Sequence, residues 1–381
     1  MRRSLTLLAV GGLLAGLAGT ASADPTGTPG TYPLTNGDGS SHSAATLITA
    51  VGADADAELV NSIAAAYNAS VSTSAAKIVS YDAVNPVTGT AGETIHVKPG
   101  CDLVRPNGAN AGVSAILNNQ LSSSDPAKAN PTTGDGTSPC IDFVRSSRSK
   151  KVSGETSLSF YSLTRDAVTW ATVAGSYAPA TLTTKQLRAI YECDITNWAQ
   201  VGGQYGDIHV YTPPDTAATY TFFLTSIGTT LANVSTGCAT TTRPTQQNDG
   251  TKLFGDPQGI APYAVTKWAA QTNQPVGISD LRGGAVLGHV PLSDGTVVEP
   301  VVTDATTQYQ VLNGDFASGN GTATSTQGRV LYDVVRNASP LAPLFAPGGF
   351  VCTNQATLLP PFGALPLGDD TSKTEYCGKL T

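Results

Sequence analysis

The chain has 381 residues and a net charge of −7, with charged residues at only 13% and hydrophobic residues at 40%. Its longest basic cluster, residues 145–151, is too small to displace the counterions of a nucleic acid, so a nucleic-acid reader is excluded. The length exceeds what one hydrophobic core spans, and two lobes are expected.

In chain order, Met1-Arg2-Arg3, an apolar run from Leu5 to Leu17 and Ala21-Ser22-Ala23 form the charged, apolar and small-residue parts of a secretory signal. Cleavage after Ala23 is expected, with a mature start at Asp24 and a secreted, extracellular or periplasmic location. No later stretch is long and apolar enough to span a membrane, so no membrane insertion is expected. No cysteine near the cleavage site offers a lipid attachment point. Residues 24–44, rich in Gly, Pro, Thr and Ser, read as a flexible leader.

Residues 45–51 then read as a buried strand. Gly52 turns the chain into a helix over residues 54–67, where Leu59, Ile63 and Tyr67 mark an apolar stripe. Further strands are predicted over 141–145, 158–163 and 167–173, a capped helix over 183–191, and a strand over 208–211. That strand feeds the stretch Thr212-Pro-Pro-Asp-Thr-Ala-Ala-Thr219 and a helix over about 219–229. Strands alternating with helices imply an α/β fold with mainly parallel sheets. In such sheets ligands sit beyond the carboxyl ends of strands, against helix N-termini.

Six cysteines in an exported chain read as three disulfides. Spacing leaves the connectivity open, and loop-closing neighbours (Cys101 with Cys140, Cys193 with Cys238, Cys352 with Cys377) are the simplest choice. No Cys-x-x-Cys occurs and His42, His96, His209 and His289 are scattered, so neither metal nor cofactor is expected. There is no Gly-x-Ser-x-Gly elbow, no His-Glu-x-x-His and no Walker loop, so no catalytic residue is assigned and the chain does not read as an enzyme.

The stretch Leu182-Thr-Thr-Lys-Gln-Leu-Arg-Ala-Ile-Tyr-Glu-Cys-Asp-Ile-Thr-Asn-Trp198 resembles a signature of the type II periplasmic binding proteins, specifically the phosphate-binding proteins of ABC phosphate uptake. Ile141-Asp-Phe-Val-Arg-Ser-Ser-Arg148 is similar to the loop before that family's hinge, Arg165-Asp-Ala-Val168 to the hinge strand, and Gly259-Ile-Ala-Pro-Tyr-Ala-Val265 to the strand returning to the first lobe. Arg282-Gly-Gly-Ala-Val-Leu-Gly288 is similar to a segment of secreted actinobacterial members. The likeness runs in order over residues 45–340.

The resemblance implies two α/β lobes, joined by two hinge strands, that close on a small ligand in the cleft. It implies a first lobe of residues 45–166 plus 263–345, a second of 167–262, and a disulfide-tied tail over 346–381. An ABC permease is the implied partner, and a monomer the expected state. The implied ligand-binding residues are Ala53, Asp54, Ser146, Ser147, Arg148, Ala217, Ala218 and Thr219. Trp198 and Tyr191 read as core aromatics, Ser146, Ser147 and Arg148 equally as a plain polar turn, and Asp54, Asp56 and Glu58 as helix-capping acids.

Two loops depart from the family. Where phosphate binders carry Ser-Gly-Thr, often followed by Arg, this chain offers Ala217-Ala218-Thr219-Tyr220, losing the flexible glycine and the charged donor. Where secreted relatives read Gly-Ser-Asp-Thr-Thr, it reads Gly52-Ala53-Asp54-Ala55-Asp56. Asp54 fits a role as acceptor of a phosphate proton, but Asp56 adds repulsion: two unit charges about 4 Å apart at an effective dielectric near 20 repel by roughly 4 kcal/mol. The expected function is a secreted solute-binding protein for a small polar or oxyanion ligand. The alternative is a secreted structural or surface-interaction module that keeps the fold.

Overall fold

Strand β1 (Leu47–Gly52) is apolar on both faces, and successive side chains of a strand point to opposite sides. In the computed structural model, Leu47 and Val51 pack with Val113 and Ile116 of helix α2 (Ala109–Asn118), whereas Ile48 and Ala50 meet Leu59, Val60 and Ile63 of helix α1 (Ala57–Ser70). One strand therefore holds a helix on each side, each buried Leu, Ile or Val contributing roughly 1.5–3 kcal/mol. The structure describes residues 24, 34–35, 41–42, 47–98, 101–118, 139–234 and 242–381. The signal segment and most of the leader lie outside these.

The first lobe is built on β1, flanked in parallel by β2 (Lys77–Ser80) and β5 (Phe143–Ser146). A hairpin of β3 (Thr94–Lys98) and β4 (Cys101–Val104) covers its α2 side. The second lobe repeats the plan. Strand β7 (His209–Thr212) is flanked in parallel by β8 (Thr242–Pro244) and β9 (Gly259–Ala264). Helices α3 (Thr184–Tyr191) and α4 (Ala218–Ser226) pack on one face of this sheet, with Trp198 and Tyr191 fully buried among them. Trp198 and Tyr191 are core aromatics, as their sequence context suggests. Thr183 caps α3 through a capping box with Gln186, which stops its first turn from fraying.

Two long antiparallel strands, β6 (Leu158–Val173) and β11 (Gly328–Arg336), join the lobes into one nine-stranded sheet, in the order β8-β7-β9-β6-β11-β5-β1-β2, with β10 (Ala285–Leu287) also on β6. The sequence suggests two strands where β6 is one of 16 residues. The polar break at Arg165-Asp166 does not interrupt it, because β11 pairs through that stretch and the buried Asp166 carboxylate is fully bonded. Within the nine-stranded sheet the antiparallel pairs are those of β6 and β11, and the remaining pairs are parallel. After β9 the chain enters helix α5 (Val265–Asn273).

Disulfides Cys101–Cys140 and Cys352–Cys377 are formed as neighbour pairing suggests. The expected Cys193–Cys238 pair falls on Cys238, outside the described residues. Phe345, Val351, Leu359 and Phe362 from the C-terminal region enter the core beside α1. The chain end runs along β6, where Gly378 donates to the Ser162 carbonyl (2.8 Å) and Thr381 to that of Phe160 (3.0 Å). Among the described residues no helix is long and apolar enough to cross a membrane.

Candidate functional site

Three helices begin at the junction of the lobes. Helix α1 follows β1 through Gly52, whose φ of +124° suits glycine and whose Cβ, were there one, would stand 2.5 Å from the Arg145 carbonyl. The next residue, Ala53, donates to that carbonyl (3.1 Å), and Arg145 Nε returns a bond to the Ala53 carbonyl (3.0 Å). Arg145 is fully buried and spends its other donors on Ser80 Oγ (2.5 Å) and the Tyr81 carbonyl (2.7 Å). It acts as a staple holding the loop that carries Ala53 and Asp54.

Helix α2 begins after Gly108, at φ +101°, where a Cβ would lie 2.8 Å from the Thr216 carbonyl of the second lobe. Backbone therefore meets backbone across the cleft. Helix α4 begins after Ala217, which offers no side-chain cap. The methyl groups of Ala53, Ala109 and Ala218, one from each loop, form an apolar cluster of their own. Alanines thus stand in contact where the phosphate-binder pattern has hydroxyls and glycine.

Polar contacts surround this cluster. Asn107 and Gln246 exchange amide hydrogen bonds between the lobes (3.1 and 3.3 Å). Asp54 accepts from Asn248 Nδ2 of the second lobe (2.8 Å). Asn248 holds a left-handed φ of 57°, a conformation that asparagine tolerates better than most residues, and its Oδ1 accepts from Ala264 N (2.9 Å). Lys267, at the start of α5, donates to the Asp54 carbonyl (3.1 Å) and to Glu58. Burial favours the neutral amine, but Asp54 and Glu58 outweigh it and hold the ammonium above its ordinary range. Asp54 and Glu58 are therefore partners of Lys267; of the expected helix-capping acids only Glu58 lies in the first turn of α1, and Asp54 precedes the helix.

Arg148 is committed elsewhere. Its guanidinium makes a two-pronged pair with Glu155 (3.0 and 2.6 Å), Nε donates to Asn110 Oδ1 (2.6 Å), and the group lies 6.0 Å from the Phe160 ring centre. Burial pushes the Glu155 carboxyl up, but the Arg148 bonds outweigh it and hold it below the usual range. Ser146 Oγ donates to the Arg148 carbonyl (2.9 Å), and both Ser146 and Ser147 are buried.

The cation at the cleft is one that sequence reasoning missed. Arg329, on β11, places Nη2 3.2 Å from Thr219 Oγ1 and 2.7 Å from Asp166 Oδ2, with Nε 2.8 Å from the same oxygen. Asp166 Oδ1 is satisfied by Thr266, through its hydroxyl (2.7 Å) and its N–H (3.2 Å). Thr219 is wholly buried, and Arg329 Nη1 is buried with no hydrogen-bond partner. The charged donor missing from the α4 loop is thus supplied by a hinge strand 110 residues away. Its only local sign is an arginine opening the apolar run Val330-Leu331.

Asp56 does not cap α1 as expected: its side chain makes no cap bond, and both carboxylate oxygens are buried without a partner. Burial pushes its carboxyl up to about 7, against the pull of Arg145 and Arg329. Asp333 on β11 lies in the same field. Burial and then Asp56 push its carboxyl well up, and its Oδ1 also has no partner. Near neutral pH Asp56 is therefore charged only part of the time, which softens the repulsion expected from a fixed carboxylate.

A family model, the PBP superfamily domain, matches residues 39–336. The chain belongs to the PBP superfamily. It has the phosphate-binding-protein-like type II form of that fold, two α/β lobes hinged on β6 and β11. A structure from Clostridium perfringens, assigned as a phosphate ABC transporter substrate-binding protein with bound phosphate, is 13% identical, covering 84% of this chain and 98% of that one at a TM-score of 0.51. An ABC-type phosphate transport receptor from Vibrio cholerae is 16% identical, covering 84% and 99% at a TM-score of 0.50. No curated protein matches. In this binding-protein frame the loops opening α1, α2 and α4 and the hinge arginine lie where the two lobes meet.

Proposed function

We propose that this PBP-superfamily chain is an exported solute-binding protein that captures one small polar ligand, oxyanions included, between its lobes. The observation that carries the reading is the Arg329–Thr219 bond: a buried hinge guanidinium reaches the start of α4 and keeps Nη1 unpartnered. A buried donor without a partner costs about 1–3 kcal/mol or more, so it favours a ligand that accepts from it. Uncapped N–H groups at the starts of α1 and α4 add donors on the same side. Asp54, Ser146, Ser147, Arg148 and Thr219, with the backbone at Ala53, Ala217 and Ala218, line the proposed site.

The domain division proposed is residues 45–166 plus 263–345, residues 167–262, and a tail over 346–381. Export with cleavage after Ala23 would leave Asp24, whose carboxylate pairs with the buried Arg105, at the start of the mature chain. An ABC permease is the partner such a role implies. The test is small-angle scattering and calorimetry on the secreted protein with phosphate, sulfate and amino acids. Saturable binding with a smaller radius of gyration is expected, and an unchanged radius with no heat for any of them overturns the reading.

A further inference from the structure

We propose that Asp56 is a specificity-determining residue, and that the ligand is a small zwitterion whose ammonium faces Asp56 and Asp333 while its carboxylate takes Arg329 Nη1 and the Thr219 hydroxyl. This rests on the solute-binding reading and names the chemistry of the same site.

The argument starts from what is left unsatisfied. Among the described residues, the buried side-chain atoms without partners include both oxygens of Asp56, Oδ1 of Asp333 and Nη1 of Arg329. These residues are 1%, 2% and 7% exposed. Acceptors on one side and a donor on the other call for a ligand that both donates and accepts. The N-cap acid of a helix usually turns back to its own N–H groups; Asp56 does not, although the dipole there would reward it.

Charge narrows the class. The groups whose fields reach Asp56 are Arg145 from β5, Arg329 and Asp333 from β11, and Asp166 from β6. Arg145 is consumed by two carbonyls and Ser80, and Asp166 by Arg329 and Thr266. The carboxylates left over are Asp56 and Asp333, and the donor left over is one guanidinium nitrogen. Burial holds both acids toward their neutral forms, and a dianion beside them would only push them further that way. An ammonium would draw the acids to their carboxylate forms, and its N–H groups fill acceptor oxygens that are otherwise empty. At the other end, Thr219 Oγ1 already accepts from Arg329, so its own proton remains to be donated to a carboxylate. The methyl cluster of Ala53, Ala109 and Ala218 removes the hydroxyl donors that a tetrahedral oxyanion would use.

The test is calorimetry on the secreted protein with glycine, L-alanine, the other standard amino acids, glycine betaine, phosphate and sulfate, repeated on Asp56→Asn and Asp333→Asn. At least one amino acid is expected to bind saturably, glycine betaine to bind at least roughly tenfold more weakly for want of N–H donors, and Asp56→Asn to weaken the amino acid by roughly tenfold or more. Asp56→Asn should also raise the melting temperature of the ligand-free protein, since an unpartnered buried acid becomes a neutral amide. A merely structural acid would give the opposite, a lower melting temperature with unchanged affinity. Binding of phosphate or sulfate with no amino acid bound overturns the zwitterion while leaving a solute-binding protein. Silence toward every compound, with no change in radius of gyration, removes both.

Discussion

Arg329 on the hinge strand β11 and Thr219 at the start of α4, 110 positions apart, meet at 3.2 Å, and Asp166 Oδ2 takes the same Nη2 together with Nε. The contact gives the α4 loop, which carries no charged donor of its own, a guanidinium from β11. Because Asp166 is wholly buried, removing the arginine strands its charge. Arg329→Ala is expected to lower unfolding free energy by about 3–5 kcal/mol, read by chemical denaturation. Arg329→Lys should recover part of that stability but little ligand affinity, because an ammonium cannot hold Asp166 and Thr219 while leaving a planar donor for a ligand.

Stability should fall as pH rises through neutrality. Burial lifts the carboxyls of Asp56 and Asp82 to about 7, so the folded state holds protons that the unfolded chain has released. A raised acid contributes stability below its unfolded value, near 4, and loses it as pH climbs through the folded one. Each such acid accounts for a change on the order of a few kcal/mol. Melting temperatures across roughly pH 4–8 should therefore decline toward the alkaline end, and Asp56→Asn should flatten the decline. A profile that rises instead would refute the sign.

Restoring the phosphate-binder pattern offers a gain-of-function check. Ala217→Ser with Ala218→Gly puts a hydroxyl and a flexible backbone back before Thr219, and phosphate affinity should rise by roughly tenfold in calorimetry. No gain would mean that the loop does not reach the ligand.

The tail should act as a clip on the hinge strand. Cys352–Cys377 closes a separation of 25 residues, and the chain beyond it pairs with β6 at Ser162 and Phe160. Replacing both cysteines with serine is expected to cost about 3 kcal/mol by the loop-entropy model, with faster amide exchange around Ser162. Unchanged exchange there would show that the tail docks without its disulfide.

Arg148→Ala tests a different link. Its guanidinium is held by Glu155, whose side chain is only 5% exposed, so the variant should lose on the order of 3 kcal/mol of stability through the stranded acid. If stability is kept and anion affinity drops instead, Arg148 reaches the ligand directly.

Much of the architecture is legible locally. The near-continuous apolar run of residues 47–51, the capping box at Thr183 and the apolar stripe of α1 depend on neighbours in sequence, and their pattern forces helix and strand alike. The loops that open α1 and α4 were visible for the same reason, since a strand end and a helix start mark them. Asn107 and Gly108 could have been found too, as a Pro-Asn-Gly turn before the helical run of α2. The rest required distance to be known. No periodicity links Arg329 to Thr219, Asn248 to Asp54 or Asp333 to Asp56, and the charge state of Asp56 follows from burial that residues far along the chain create. The sequence specifies which chemistry is carried on each element; long-range packing sets which charges are left unpaired, because desolvation and hydrogen bonding depend on what stands within a few ångströms in space.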